Sequence, residues 1–143
     1  MKIETIGHQA TINLGKKLAK VLRPNDFIAL IGIFGAGKTY LTKGIAAGLG
    51  INIDTIVSPS FLLCNTYTAK KGIKLLHSDA QRLVDPREIF KLGMNDFENA
   101  ITVVEWGDRI LLHIKEFERL IKVYFTVTGN NKRLIELFLR NHN

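Results

Sequence analysis

The sequence predicts an α/β domain whose central sheet is mixed, largely parallel and flanked by helices. One observation is an apolar run over residues 26–31, which is typical of a strand buried on both faces. This run lies between two segments of helical periodicity, residues 9–22 and 38–49. The second half of the chain contains paired strand-like segments instead, and this combination is typical of a mixed sheet. The length of 143 residues predicts a single domain over 1–143.

The predicted helices have recognisable limits. Residues 9–22 place apolar side chains at helical spacing with lysines on the opposite face, and the segment ends before Pro24. Residues 38–49 follow a glycine-rich turn and end among glycines. A third helix is predicted to start at Asp85, because Pro86 suits the first helical position and a glutamate follows three residues beyond the cap.

Five further segments are rich in apolar, β-branched and aromatic residues and are predicted as strands: residues 61–68, 73–77, 101–104, 120–128 and 132–139. The first two flank the turn 70–72, and the last two flank the turn 129–131. Each of these pairs is therefore expected to form a hairpin.

The composition indicates a basic, soluble protein. The chain has 20 Lys and Arg against 13 Asp and Glu, a formal net charge of +7, but the positive residues are scattered. A basic balance attracts phosphates, nucleotides, RNA and acidic protein surfaces alike, so charge alone selects none of them. The lone Cys64 excludes an intramolecular disulfide. Without an apolar signal segment or a spanning run, we expect a cytoplasmic protein with no membrane partner.

Residues 32–39, Gly-Ile-Phe-Gly-Ala-Gly-Lys-Thr, match the pattern G-x-x-x-x-G-K-[ST] at every fixed position. The glycines let the backbone curl so that several N–H groups face phosphate oxygens. The following helix N-terminus adds partial positive charge. Lys38 would reach the β- and γ-phosphates, and the Thr39 hydroxyl would bind a bridging Mg²⁺. A buried strand before the loop and a helix after it complete the prediction of a P-loop NTPase-like domain.

A P-loop requires a second acidic group near the metal, because the bridging Mg²⁺ takes oxygen ligands from both sides. Glu105 directly follows a predicted buried strand and is the best-placed candidate. Asp79, which also follows a strand, is the other. The alternative for each is a surface carboxylate that caps a strand end or a helix start.

Four other residues near these positions have a purely structural interpretation as well as a functional one. We assign His77 to the core or a hinge rather than to a catalytic base. Trp106 is assigned to packing rather than to adenine stacking. The hydroxyls of Ser58 and Ser60 either sense the γ-phosphate or belong to a plain turn.

Seven short motifs follow one another along nearly the whole chain: Ala10-Thr11-x-x-Leu14-Gly15, Gly35-Ala36-Gly37-Lys38-Thr39, Ser58-Pro59-Ser60-Phe61, His77-x-Asp79-x-x-Arg82-Leu83, Asp85-Pro86-x-Glu88, Leu92-Gly93 and Glu105-Trp106. In order and spacing they resemble the TsaE family, small bacterial ATPases required for threonylcarbamoyladenosine synthesis on tRNA. The resemblance depends on the whole series rather than on any one motif.

The resemblance implies a role for each matching residue. Lys38 and the loop amides would hold the phosphates of ATP or ADP, while Thr39 and Glu105 would hold Mg²⁺. Asp79 would be a carboxylate of the hydrolytic site, and Ser60 stands where the family usually has a switch threonine. The implied catalytic residues are thus Lys38, Asp79, Glu105 and Ser60. The implied nucleotide-binding residues are Gly35, Ala36, Gly37, Lys38, Thr39, Tyr40, Thr11 and Arg133.

The resemblance also implies an accessory ATPase that acts with a TsaB–TsaD complex and meets tRNA only indirectly. Three departures from the family pattern stand out. Ile33 replaces an acid at the loop start, Leu62 replaces a second hydroxyl, and residues 77–82 lack two aromatic residues. These departures favour nucleotide binding over rapid hydrolysis, so we expect turnover that is weak alone and dependent on the partner.

Other functions remain open for the same loop. A small-molecule kinase would need an acceptor site and an Arg-rich lid, and the chain offers Arg82 and Arg87 but no compact lid. A nucleotide-gated binding module without significant turnover is favoured by Ile33 and Leu62. Direct RNA binding is supported by charge alone.

Overall fold

The computed structural model describes residues 1–33, 35–59, 64–81, 85, 87–88, 99–113 and 119–141. No helix in these ranges is long and apolar enough to cross a membrane. The helices and strands within them, in chain order, are β1 (Lys2–Ile6), α1 (His8–Ala19), β2 (Phe27–Ile31), α2 (Lys38–Gly48), β3 (Cys64–Thr68), β4 (Lys74–Asp79), β5 (Ala100–Glu105), β6 (Arg119–Gly129) and β7 (Lys132–Asn141).

The strands form one mixed sheet in the order β1-β7-β6-β2-β5-β4-β3. The four central strands β6, β2, β5 and β4 are parallel, whereas β1, β7 and β3 pair antiparallel at the two sides. β2 is apolar throughout and almost entirely buried, as expected for a parallel strand covered on both faces. The predicted α/β class with a mixed sheet is confirmed.

Both helices pack on the same face of the sheet, and glycines allow them to approach closely. A Cβ atom at Gly44 would overlap the carbonyl oxygen of Ile12 and would lie 2.9 Å from the Cα of Gly15. The helices and strands bury a common apolar core, which includes Leu14, Leu18, Leu41, Ile45, Ile28, Leu30, Ile101, Val103 and Val123.

The opposite face of the sheet has a smaller core. A 3₁₀ helix over Gly107–His113 lies in the segment after β5 and contributes one of its members, Ile110. The other members come mainly from the central parallel strands: Phe27, Ala29, Ala80, Val104 and Leu120. Since β2 supplies both cores through alternate residues, the loop that follows it starts from a strand fixed on both sides.

Two helix predictions differ from the structure or lie partly beyond it. α1 ends at Ala19, earlier than the predicted limit at residue 22. The Val21 N–H donates to the Leu18 carbonyl at 3.0 Å, a bond to the third preceding residue that tightens the last turn and ends the helix. Most of the helix predicted from Asp85, and residues 61–63 of a predicted strand, lie outside the described residues.

β1 is a strand that the sequence analysis did not predict. It pairs antiparallel with β7, with Ile3 opposite Ile135 and Thr5 opposite Arg133. The segment is short and its partner is distant in sequence, so the local pattern gives little signal. β4 and β5 extend past their predicted limits and include Asp79 and Glu105, which are paired in register.

Replacing Gly44 with alanine tests the close helix approach. Gly44→Ala is expected to lower the free energy of unfolding by about 1–3 kcal/mol, because the new methyl group meets backbone that cannot move aside. This loss should exceed the gain in helix propensity that alanine brings. Urea denaturation measures it, with Gly129→Ala as the control, since a Cβ there meets only Lys132 side-chain atoms at 3.4 Å or more. Equal stability of the two variants would contradict the close approach.

Candidate functional site

The glycine-rich loop connects the end of β2 to the start of α2. Gly37 precedes α2 with φ 100° and ψ 12°, a left-handed conformation that glycine adopts without steric cost. Glycine has no side chain to cap the helix, and the first turn of α2 contains no acidic residue. The N–H groups of this turn and the positive end of the helix dipole are therefore suited to an external anion.

The side chain of Lys38, the first residue of α2, turns back toward the loop rather than extending into solvent. It is only 5% exposed, its ammonium donates to the carbonyl of Gly32, and it lies 3.9 Å from the centroid of the Trp106 ring. Burial lowers the pKa of Lys38, although the carboxylates of Glu105 and Asp79 oppose this shift. A phosphate in the loop would bring negative charge to a cation that burial disfavours.

The first turn of α2 also contacts the end of β5. The hydroxyl of Thr39 donates to Oε1 of Glu105 at 3.2 Å and lies 3.4 Å from the hydroxyl of Ser58. Glu105 is only 6% exposed, and its other oxygen, Oε2, lies 2.9 Å from Nε2 of His77. The two residues predicted to hold a metal, Thr39 and Glu105, are therefore in direct contact.

Asp79 lies at the same edge of the sheet. It is opposite Glu105 in the register of β4 and β5, and its Oδ1 accepts the N–H of Gln81 at 2.8 Å. Burial raises the pKa of Asp79 and the charge of Glu105 adds to the rise, whereas the Gln81 hydrogen bond and Lys38 oppose it. Two carboxylates and a lysine thus share a partly buried region beside the loop.

The backbone after β5 turns sharply at this edge. Trp106 has a positive φ of 56°, which is unusual for a bulky residue. Its ring faces the ammonium of Lys38, a cation–π contact, and also packs against the smaller apolar core. Arg109 then donates to the carbonyls of Ala80 and Gln81 at 2.6 and 2.9 Å, which fastens the segment after β4 to this turn.

A groove lies on the other side of the loop, beside the start of α1. Arg133 of β7 donates through Nε to the carbonyl of Ala36 and through Nη2 to that of Gly35, both at 3.1 Å. The hydroxyl of Thr11 lies 3.0 Å from that of Thr5. The residues lining the groove are Gly7, His8, Thr11, Gly37, Asn131 and Arg133.

Tyr40 connects the two helices near this groove. Its ring stacks on His8 with the ring centroids 3.9 Å apart and the planes at 34°. The side chains predicted to bind nucleotide are therefore divided between two sides of the loop. Lys38 and Thr39 face the strand ends, whereas Thr11, Tyr40 and Arg133 lie toward α1 and β7.

Ser60, the predicted switch hydroxyl, lies outside the described residues. Neither the contact of Ser58 with Thr39 nor that of His77 with Glu105 was predicted from the sequence. The spacing of His77 and Asp79 predicts that the two side chains share one face of a strand, but not that β5 places Glu105 beside His77.

A glycine-rich loop between a buried parallel strand and a helix, with acidic residues at the ends of neighbouring strands, defines a P-loop-like α/β protein. This fold suggests nucleotide binding. Residues 6–135 match the family model described as threonylcarbamoyl adenosine biosynthesis protein TsaE. The chain belongs to the TsaE family.

Individual relatives agree with the family model. A tRNA threonylcarbamoyladenosine biosynthesis protein TsaE of Rickettsia conorii is 36% identical over 135 residues, covering 94% of this chain and 75% of that protein. The protein of the same description from Streptomyces coelicolor is 39% identical over 136 residues, covering 84% and 90%. The crystal structure of Bacillus subtilis YdiB superposes with a TM-score of 0.73 at 27% identity, covering 99% of this chain and 86% of that one.

The burial of Asp79 generates a pH-dependent prediction. Because its pKa is raised in the folded protein, the ionised carboxylate lowers stability at pH values above that pKa. The penalty disappears as the pH falls toward the ordinary range of an aspartate. Asp79→Asn keeps the oxygen that accepts the Gln81 N–H, so we expect a higher melting temperature than wild type at pH 8 and a smaller difference at pH 5.

Thermal unfolding at the two pH values measures this effect, with Asp54→Asn at an exposed carboxylate as the control. A lower melting temperature for Asp79→Asn at pH 8 would mean that attraction to Lys38 outweighs the burial of the charge.

Proposed function

We propose that this protein binds ATP with Mg²⁺ at the loop before α2 and hydrolyses it as an accessory to threonylcarbamoyladenosine formation on tRNA. The observation that carries the proposal is the 3.2 Å contact between Thr39 Oγ1 and Glu105 Oε1. It joins the helix after the loop to the end of a neighbouring parallel strand, so two oxygen ligands meet beside Lys38. Membership of the TsaE family supports the same conclusion.

The loop suits the phosphates of a nucleotide. The ammonium of Lys38 is held by the carbonyl of Gly32, and a phosphate oxygen would offer it a stronger, charge-assisted hydrogen bond. The start of α2 offers N–H groups and the positive end of its dipole. The groove lined by Thr11, Gly37 and Arg133 marks the other side of the loop, and we assign the nucleoside to that side.

The donor set suits Mg²⁺. A threonine hydroxyl and a carboxylate are hard oxygen ligands, and in nucleotide sites Mg²⁺ is usually held by one or two protein groups together with phosphates and water. In the part of the chain that the structure describes, no group of three or more His, Cys, Asp and Glu is placed to hold a metal by itself. When bound, Mg²⁺ would neutralise charge on the transferred phosphoryl group.

In hydrolysis the residues of this chain would act by position and charge. Lys38 would stabilise negative charge on the phosphates, and Glu105 would fix the metal side of the site. The carboxylate of Asp79 is opposite Glu105 in the sheet, and its charge raises the pKa of Lys38. We assign Asp79 to orienting the attacking water. Catalysis of this kind requires no covalent intermediate with the protein.

We propose a TsaB–TsaD-type complex as the partner, with tRNA reached only through it. Relatives from two organisms are named for biosynthesis of the modified nucleoside. A phosphate loop with a lysine and carboxylates is suited to phosphoryl chemistry, so we assign the threonylcarbamoyl transfer to the partner. Ile33 is 64% exposed at the start of the loop, at a position where the family usually has an acid, and we therefore expect slow turnover without the partner.

The presence of Ile33 in place of the usual acid also favours a second candidate, a nucleotide-gated binding module. In this case occupancy by ATP, rather than its turnover, would control association with the partner. The two candidates differ in one result. The module would keep ATP-dependent association with the partner even where phosphate release is undetectable in the full complex.

Replacing Lys38 tests nucleotide binding. Lys38→Ala is expected to weaken ATP binding by about 2–5 kcal/mol, because it removes the buried cation that would meet the phosphates. Isothermal titration calorimetry with ATP and Mg²⁺ measures the loss. Lys17→Ala removes an exposed lysine and serves as the control. Unchanged affinity in Lys38→Ala would refute binding at this loop.

Replacing Glu105 separates binding from turnover. Glu105→Ala should retain ATP binding in EDTA, where no metal is involved, but should lose hydrolysis, since it removes the acidic metal ligand. Phosphate release is measured for the protein alone and with purified TsaB–TsaD-type partners, and Glu4→Ala at an exposed position is the control. Turnover equal to that of wild type would remove Glu105 from the mechanism.

A further inference from the structure

His77 lies beneath the site, on the strand between β5 and the edge strand β3. It belongs to β4, is completely buried, and its Nε2 lies 2.9 Å from Oε2 of Glu105. The other oxygen of Glu105, Oε1, accepts the hydroxyl of Thr39. The two oxygens of one carboxylate are thus held from opposite sides, one by the sheet and one by the helix that follows the loop.

The hydrogen-bonding groups around His77 define which nitrogen carries its proton. An ionised carboxylate only accepts hydrogen bonds, so the contact with Glu105 places a hydrogen on Nε2. The other ring nitrogen, Nδ1, is buried and has no hydrogen-bond partner among the described residues. A hydrogen on Nδ1 would be a buried donor without an acceptor, which is unfavourable. The geometry therefore assigns the tautomer with hydrogen on Nε2.

We propose that His77 is a positioning residue for Glu105, which holds Oε2 so that Oε1 faces Thr39 and the divalent cation. This inference rests on the proposed function, because it takes Glu105 to be the acidic metal ligand. Groups that hydrogen-bond to a metal ligand fix its orientation, and their loss typically reduces metal affinity or activity by about 10–100-fold.

The neighbouring carboxylate shows why such a bond is needed. Asp79 is opposite Glu105 in the register of β4 and β5, so two acidic side chains leave adjacent strands on the same face. Like charges that are directly opposite each other on adjacent strands repel. The hydrogen bond from His77 anchors Glu105 within the sheet and opposes its rotation toward solvent.

Two substitutions separate the donor from the shape of the ring. His77→Gln places an amide N–H about as far along the side chain as Nε2, so it retains the donor. His77→Leu fills similar space without one. Calorimetry measures ADP affinity in EDTA and then across a series of Mg²⁺ concentrations, and thermal unfolding follows the fold. For His77→Leu we expect unchanged ADP affinity in EDTA and a half-saturating Mg²⁺ concentration about 10–100-fold higher, with most of the loss restored in His77→Gln.

The results separate this proposal from the proposed function. If wild-type protein binds no ADP, or binds it without any response to Mg²⁺, the proposed function fails. If wild type responds to Mg²⁺ and both variants respond identically to it, His77 does not position Glu105. Equal losses of Mg²⁺ response in the two variants would also overturn the proposal, because they would indicate that only the shape of the ring matters.

A third variant covers the case in which His77→Leu does not fold. His77→Asn is as polar as His77→Gln, but its amide ends near the position of Nδ1 and does not reach Glu105. We expect His77→Gln to keep a Mg²⁺ response close to wild type and His77→Asn to lose it about 10–100-fold. The same Mg²⁺ response in these two amide variants would overturn the proposal.

Discussion

The site depends on the parallel pairing of β2 with β5. In this register Leu30 lies opposite Glu105, so the strand that leads into the loop and the strand that supplies the acid end at one level of the sheet. β4 continues the alignment, with Asp79 opposite Glu105. A slip of one residue would turn the Glu105 side chain to the other face, away from Lys38 and Thr39. Register, which the apolar cores on both faces of the sheet hold in place, therefore determines the chemistry of the site.

Charge at this edge is held in an unfavourable environment. Burial lowers the pKa of Lys38 and raises that of Asp79. In both cases burial disfavours the ionised form of the side chain. Hydrogen bonds to Glu105 from two different elements offset part of the penalty for that carboxylate. Opposed shifts of this kind are common where a protein is built to receive a charged ligand. The apolar cores on the two faces of the sheet supply the stability that the site itself lacks.

Parts of the molecule with local signals could be predicted from the sequence. The loop, α2 and the position of Glu105 after a strand depend on glycine spacing and apolar runs within a few residues. The contacts of His77 and Arg133 could not be predicted, because they depend on which strands become neighbours. β1 was missed for the same reason, since its five residues gain their stability from pairing with β7. The early end of α1 reflects hydrogen bonding in its last turn, which apolar periodicity does not reveal.

The pairing of β1 with β7 has a consequence for the order in which the protein is assembled during synthesis. These strands occupy opposite ends of the described chain, so β1 stays without its partner until β7 has emerged from the ribosome. Arg133, which holds the carbonyls of Gly35 and Ala36, arrives on β7 as well. Contacts between distant segments form late because the intervening chain must first be ordered. A nascent chain would thus possess its phosphate loop well before the groove beside it closes.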